Sequence, residues 1–357
     1  MNTNRRHFLG GLFAAGVIPS PTWADVGAPA YLSAAAKPEG TYALCGIDQS
    51  LNIVFEIPLP ARGHAAAAHP LRPEAVAFAR RPGTFAMVIN CLTGKPKVTI
   101  EAPSGRHFYG HGAFSASGDW LYTTENDYEI GRGCVGVWDV ARGYVRVAEF
   151  DSGGIGPHDV KRLAHSDVLV IANGGIDTHP ETGRTKLNIP TMQSNLAYIE
   201  GGVVVDSYAL PPEMQKNSIR HLAVGTTGTV AFGMQWQADG PVAALVGRHR
   251  RGDALELMHA TSDAVRTLEG YVGSIAYSAD GRTIAATSPR GGVLHLYDTK
   301  GMTLERILPI TDVCGVAPSA AGLFATAGTG EILGVSKRQT VVRTTRGYKW
   351  DNHLVSV

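Results

Sequence analysis

Five histidines stand at comparable places along this sequence: His64, His111, His158, His221 and His353. The first three are spaced by 47 residues each. Imidazole is the commonest metal ligand and the side chain whose ordinary pKa lies nearest neutral pH. A ring of imidazoles brought to one point would seat iron, copper or another late transition metal. A structural reading competes. His64 and His111 each follow a glycine, and a histidine there can tie a turn together by hydrogen bonds. For His158, His221 and His353 both readings stay open.

Other polar residues fall between the apolar segments. Glu125, Asn126 and Asp127 form one group. Asn173, Asp177 and His179 form a second, and Gln235-Trp236 and Arg290 stand apart. Asp159 and Arg220 sit directly beside two of the histidines. Glu125, Asn126, Asp159, Asn173, Arg220, Gln235 and Arg290 are therefore the candidate ligand-binding residues, on a polar rim suited to a metal complex, a small polar ligand or a partner protein. The alternative is that they are ordinary solvent-facing loop residues. No catalytic signature is present: no G-x-S-x-G, H-E-x-x-H, phosphate-binding loop or C-x-x-C. Cys45, Cys91, Cys134 and Cys314 match no zinc or haem spacing. An even count permits disulfides in an oxidising compartment; four separate buried thiols are the favoured reading.

The elements that must position these groups are short strands. Charged residues make up only 18% of the chain, with 43 glycines and 20 prolines. That mix suits many strands joined by tight turns. Strands are predicted at Ser274–Ser278, Thr283–Thr287 and Val293–Tyr297, with an Asp280-Gly281 hairpin between the first two. The layout recurs from His111 through Trp138-Asp139 to Phe150, making four strands. Such a repeat is one blade of a β-propeller. Gly110-His111 and Trp138-Asp139 resemble the landmarks of WD40 repeats.

Innermost strands are anchored at His64, His111, His158, His221, Ser274, Gly315 and His353, which predicts seven blades. The anchor at His353 leaves one strand before the chain ends. Ala30–Ala35, Thr41–Ile47 and Asn52–Ile57 supply the other three, so the last blade is sewn from both ends of the chain, removing open sheet edges. The expected fold is an all-β, seven-bladed, WD40-like propeller, with the start of each inner strand at one mouth of a central channel. The longest insertion lies around 173–188.

Arg5-Arg6-His7-Phe8-Leu9, an apolar run to Ile18 and small residues at Thr22-Trp23-Ala24 predict a leader over 1–24 and a propeller over 25–357. The apolar run is too short to span a bilayer, and the arginine pair resembles a twin-arginine signal. The expected location is the periplasm, with no membrane span after cleavage. Without Arg5 and Arg6, 30 basic residues face 31 acidic ones, a net charge of about −1. Nothing there suggests a nucleic-acid partner.

The arginine-pair leader, Tyr109-Gly110-His111-Gly112, Gly156-Pro157-His158-Asp159, Asn173-Gly174-Gly175-Ile176 and Trp350-Asp351-Asn352-His353 together resemble the DUF1513 family of bacterial proteins. The resemblance spans the chain and implies a WD40-like propeller. It implies a place in periplasmic iron acquisition beside an imelysin-like lipoprotein or a di-haem cytochrome-like protein, and it carries over no catalytic residues. Three functions follow as expectations: a non-enzymatic binding protein for a metal, metal complex or partner at the channel mouth; a propeller oxidoreductase or lactonase-like hydrolase with its site at the same mouth, by fold analogy alone; or a pure interaction scaffold.

Overall fold

Tight turns set the local structure. At Ser278–Thr283 the Gly281 amide donates to the Ser278 carbonyl (2.8 Å) and the Thr283 amide to Ser278 Oγ (3.0 Å). Gly281 sits at φ 67°, left-handed backbone that glycine enters without penalty. The turn at Ser115–Trp120 repeats both bonds. Each turn returns the chain antiparallel, and four successive strands make a blade.

The computed structural model describes residues 20–79, 84–183, 185–336 and 339–357. The arginine pair and apolar core of the leader lie outside these. The described residues form seven four-stranded antiparallel sheets. Blade 1 covers 63–101, blade 2 106–151, blade 3 157–209, blade 4 217–257, blade 5 274–309 and blade 6 313–344. Blade 7 joins Lys349–Ser356 to Tyr31–Ala36, Tyr42–Ile47 and Ile53–Leu59. The expected seven-bladed ring and its closure from both chain ends are therefore observed. The Val357 amide donates to the Ala30 carbonyl (3.0 Å), and Ser33 Oγ donates to the His353 carbonyl (2.9 Å).

The inner strands are Gly63–Ala68, Arg106–Phe114, Pro157–Arg162, Asn217–Val224, Ser274–Tyr277, Val313–Ser319 and Lys349–Ser356. The core lies between blades. One apolar cluster runs from Val170 and Tyr198 of blade 3 through Phe232 of blade 4 to Ile284 of blade 5. Another joins blades 5 and 6, and a third joins blades 6 and 7. Phe232 is fully buried, and burying such a ring contributes about 1.5–3 kcal/mol.

Two features were not expected from the sequence. A short helix, Ser262–Arg266, precedes blade 5, capped by Thr261 Oγ1 accepting from the Ala264 amide. A 3-10 turn at Trp23–Val26 docks on blade 1, its Trp23 Nε1 donating to the His69 carbonyl (2.8 Å). The four cysteines are separate buried thiols, and burial pushes Cys45 and Cys91 up to about 12. Among the described residues, no helix is long and apolar enough to cross a membrane.

Candidate metal centre at the hub

The hub geometry begins with a break in strand pairing. In six of the seven blades the register between the inner strand and its neighbour shifts at the anchor position. The shifts fall between Gly63 and Ala66, Phe108 and Gly112, Pro157 and Asp159, Ile219 and His221, and Val313 and Val316. In blade 7 the shift opposes Asp351–His353. A bulge bends its strand and re-aims a side chain. All five histidine-bearing inner strands are bulged. Blade 5, which carries Ser274, pairs without a shift. In blade 6 the equivalent residue is Gly315, because a Cβ there would meet the Leu354 backbone nitrogen at 2.6 Å. Ser274 Oγ instead accepts the Val316 amide (3.3 Å) and stitches blade 5 to blade 6.

The five histidines converge. Ring centroids are 5.0 Å apart for His64–His111, 4.9 Å for His111–His158, 4.9 Å for His158–His221, 5.2 Å for His221–His353 and 4.8 Å for His64–His353. Two overlapping triads, His64/His111/His158 and His111/His221/His353, each bring one donor atom per residue within 4.8 Å of the others. His111 is not tied into its own blade: its Nδ1 faces Asp159 of blade 3 and its Nε2 faces His64 of blade 1.

Neighbouring groups set the ring tautomers. His158 Nδ1 lies 2.9 Å from the Arg220 carbonyl, which can only accept, so Nδ1 carries the proton and Nε2 is left basic. His111 Nδ1 lies 3.2 Å from Asp159 Oδ1, which likewise leaves His111 Nε2 basic. Burial pushes the Asp159 carboxyl up, but Lys161 and His111 outweigh it and hold it well below the usual range. His111 Nε2 and His64 Nε2 stand 3.2 Å apart. Both nitrogens of His221, and Nε2 of His353, are buried with no hydrogen-bond partner among the described residues. Burial, then His111, push His221 down to about 3; burial first, then neighbouring charged groups, also lower His158 and His353. These rings are therefore neutral, the form that binds metals.

The rings separate two cavities. An upper cavity of about 190 Å³ is lined by His64 and His158, with Tyr109, Lys186, Arg220, Gln235, Tyr271 and Asn352. A lower cavity of about 450 Å³ reaches His111, His221 and His353 from the opposite mouth, past Asp159 and Lys161.

The rim residues divide. Arg220 and Gln235 line the upper cavity, and Arg290 lies over the Tyr271 ring, 4.5 Å from its centroid. Asp159 serves the hub, accepting from the Leu222 amide (3.0 Å) as well as from His111. Glu125, Asn126 and Asn173 are not in loops. They lie within strands Trp120–Asp127 and Leu169–Asn173 and are fully buried. Glu125 accepts from Arg146 (2.6 Å) and from Thr123 Oγ1 (2.6 Å), which in turn takes the Trp138 indole N–H (2.9 Å). Asn126 donates to the Thr178 carbonyl (2.9 Å), and Asn173 bonds both the backbone and the hydroxyl of Ser152. These three hold strands and loops together. The strands run further than expected because buried pairing satisfies polar side chains that the sequence alone reads as exposed. Lys186 and Tyr271 escaped the sequence reading, and Tyr109 and Asn352 entered it only within the segments that carry the family resemblance, not as site residues. Asn352 also adjoins a hub histidine in the chain.

A family model described as "Protein of unknown function (DUF1513)" matches residues 57–357. The chain belongs to the DUF1513 family. Comparison with curated proteins returned no match. Among solved structures, this DUF1513 protein is similar to the hydrazine synthase of Kuenenia stuttgartiensis, with a TM-score of 0.58 and 13% identity over 94% of this chain and 99% of that one. At that identity the likeness concerns the propeller fold alone. The matched region contains all seven inner strands and all five hub histidines.

Proposed function

We propose that this DUF1513 protein is a non-enzymatic periplasmic propeller that holds a transition-metal ion at its histidine hub. One observation carries the reading: imidazoles from five blades meet at one point with buried, unpartnered nitrogens on His221 and His353. A buried polar atom without a partner costs about 1–3 kcal/mol, and a histidine kept only for structure would be satisfied. An all-imidazole set suits copper, zinc, nickel or iron, and affinity at such a site peaks at copper. The donors come from the two overlapping triads, His64/His111/His158 and His111/His221/His353, which share His111. Asp159 and the Arg220 carbonyl orient two of them, as outer partners of metal-binding histidines do. A bound cation would supply charge to fix a ligand from either cavity.

A role in metal acquisition, the periplasmic location and a partnership with an imelysin-like lipoprotein or di-haem cytochrome-like protein belong to the same proposal. They rest on the leader sequence and on the family resemblance.

The test is calorimetry with Cu²⁺, Fe²⁺ and Zn²⁺ on chelator-treated protein, with metal content measured after dialysis. We expect one ion per chain, copper tightest, and a loss of about 100-fold or more in a His221→Gln/His353→Gln variant whose circular dichroism is unchanged. Binding no tighter than about 100 µM for every ion, or unchanged affinity in the variant, overturns the reading.

A further inference from the structure

Above the hub, the upper cavity concentrates positive charge. Lys186 comes from the long loop of blade 3, Arg220 from the inner strand of blade 4, and Arg290 from a turn of blade 5. Lys186 and Arg220 line the cavity, and Arg290 covers Tyr271, which also lines it. Among the described residues lining the cavity, none is acidic. Lys186 feels the other two cations: burial, then Arg220 and Arg290, lower its ammonium from its ordinary value. Like charges drawn together from three blades give the cavity a positive field that favours an anion. Neutral hydrogen-bonding groups complete the wall, at Gln235, Tyr271, Asn352 and Thr178.

The long loop that brings Lys186 is itself anchored. The Asp177 amide donates to Asn188 Oδ1 (2.8 Å), Asn188 Nδ2 donates to the Gly175 carbonyl (2.9 Å), and Asn126 holds the Thr178 carbonyl from blade 2. Lys186 Nζ donates to Gln237 Oε1 of blade 4 (2.6 Å). The cation is thus fixed across two blades. A cavity of about 190 Å³ holds roughly six waters' volume at about 30 Å³ each, the scale of a phosphate or a small polycarboxylate.

We propose that this upper cavity binds a small multivalent oxyanion, of the polycarboxylate or phosphate class, between Lys186, Arg220 and Arg290. The guanidinium forks pair with planar carboxylate or phosphate oxygens, and Lys186 adds a point charge. The floor of the same cavity is His64 and His158. An anion seated there faces the hub directly, so a metal arriving as its oxyanion chelate would meet imidazole nitrogens while its carrier is held by the cations. This last step rests on the hub reading; anion binding itself does not.

The experiment titrates citrate and, separately, inorganic phosphate into chelator-treated protein, then into copper-loaded protein. Lys186→Gln/Arg290→Gln is the paired variant, since both side chains are exposed and neither is one of the hub donors. We expect binding of one of the two anions to metal-free protein, weakened about tenfold in the variant and by raised sodium chloride. Copper affinity measured without either anion should be unchanged in the variant. Citrate binding alone assigns a carboxylate chelator, and phosphate binding alone assigns a phosphate ligand. If neither anion binds, or the variant binds as well as the parent, the proposal is overturned even where copper binding persists. If an anion binds and copper does not, the anion site stands and the hub reading falls.

Discussion

Asp159 shows how one side chain can tie the hub to the ring. Its carboxylate faces His111 Nδ1, accepts the Leu222 amide of the next blade, and lies 3.5 Å from Lys161 Nζ. Asp159→Asn keeps the shape but cannot hold the His111 proton as a carboxylate does. Copper affinity should fall about 10–100-fold, with a melting temperature that moves little; isothermal titration beside a thermal scan checks both. Outside the hub, His295 predicts a pH dependence. It is fully buried, with Nε2 2.8 Å from Thr267 Oγ1, and burial lowers it from 6.5 to about 4. Between those values the unfolded chain binds the proton and the folded one does not, so stability falls as pH drops through that window. His295→Gln should give a shallower loss between pH 6.5 and 4 than the parent in urea denaturation; parallel curves would refute the assignment. The types and recurrence of the hub histidines were readable from the sequence. The burial of Glu125, Asn126 and Asn173 was not, because an acid or amide between apolar residues looks the same whether it faces water or a buried partner.

At the scale of the element, the bulge does the positioning. An unbroken ladder alternates side chains between the two faces of its blade. An inserted residue turns one of them toward the channel. Gly110 shows how tightly this is built. It sits at φ 98°, and a Cβ there would stand 2.6 Å from His64 Cδ2. Gly110→Ala should cost about 1–3 kcal/mol through backbone strain and displace His64, which denaturation and copper titration would report together. Wild-type stability in this variant would refute the claimed close approach. Strand positions were legible in the sequence because Gly and Asp-Gly turns punctuate it. The bulges were not, since an extra residue leaves no mark in an alternating pattern whose partner strand is unknown.

At the scale of the molecule, closure is a single seam. Lys349–Ser356 pairs with Tyr31–Ala36, and Trp350 packs among Tyr31, Ala317 and Phe324 between blades 6 and 7. A chain ending at Tyr348 loses the inner strand of blade 7 and the hub residue His353 at once. It should unfold in a broadened transition at lower urea and bind copper weakly; a midpoint equal to that of the full chain would show that the seam does not hold the ring. The sequence by itself determined the repeat, the count of seven and the joining of both ends, because these follow from local turn chemistry and alternating apolar residues. It also marked His64, His111, His158, His221 and His353 by their place in the repeat. Only the tertiary structure decided that these rings meet, that they divide the channel into two cavities, and that Lys186, Arg220 and Arg290 gather above them. The physical reason is that convergence depends on bulge register and on loops reaching between blades, and both are set by partners tens to hundreds of residues away.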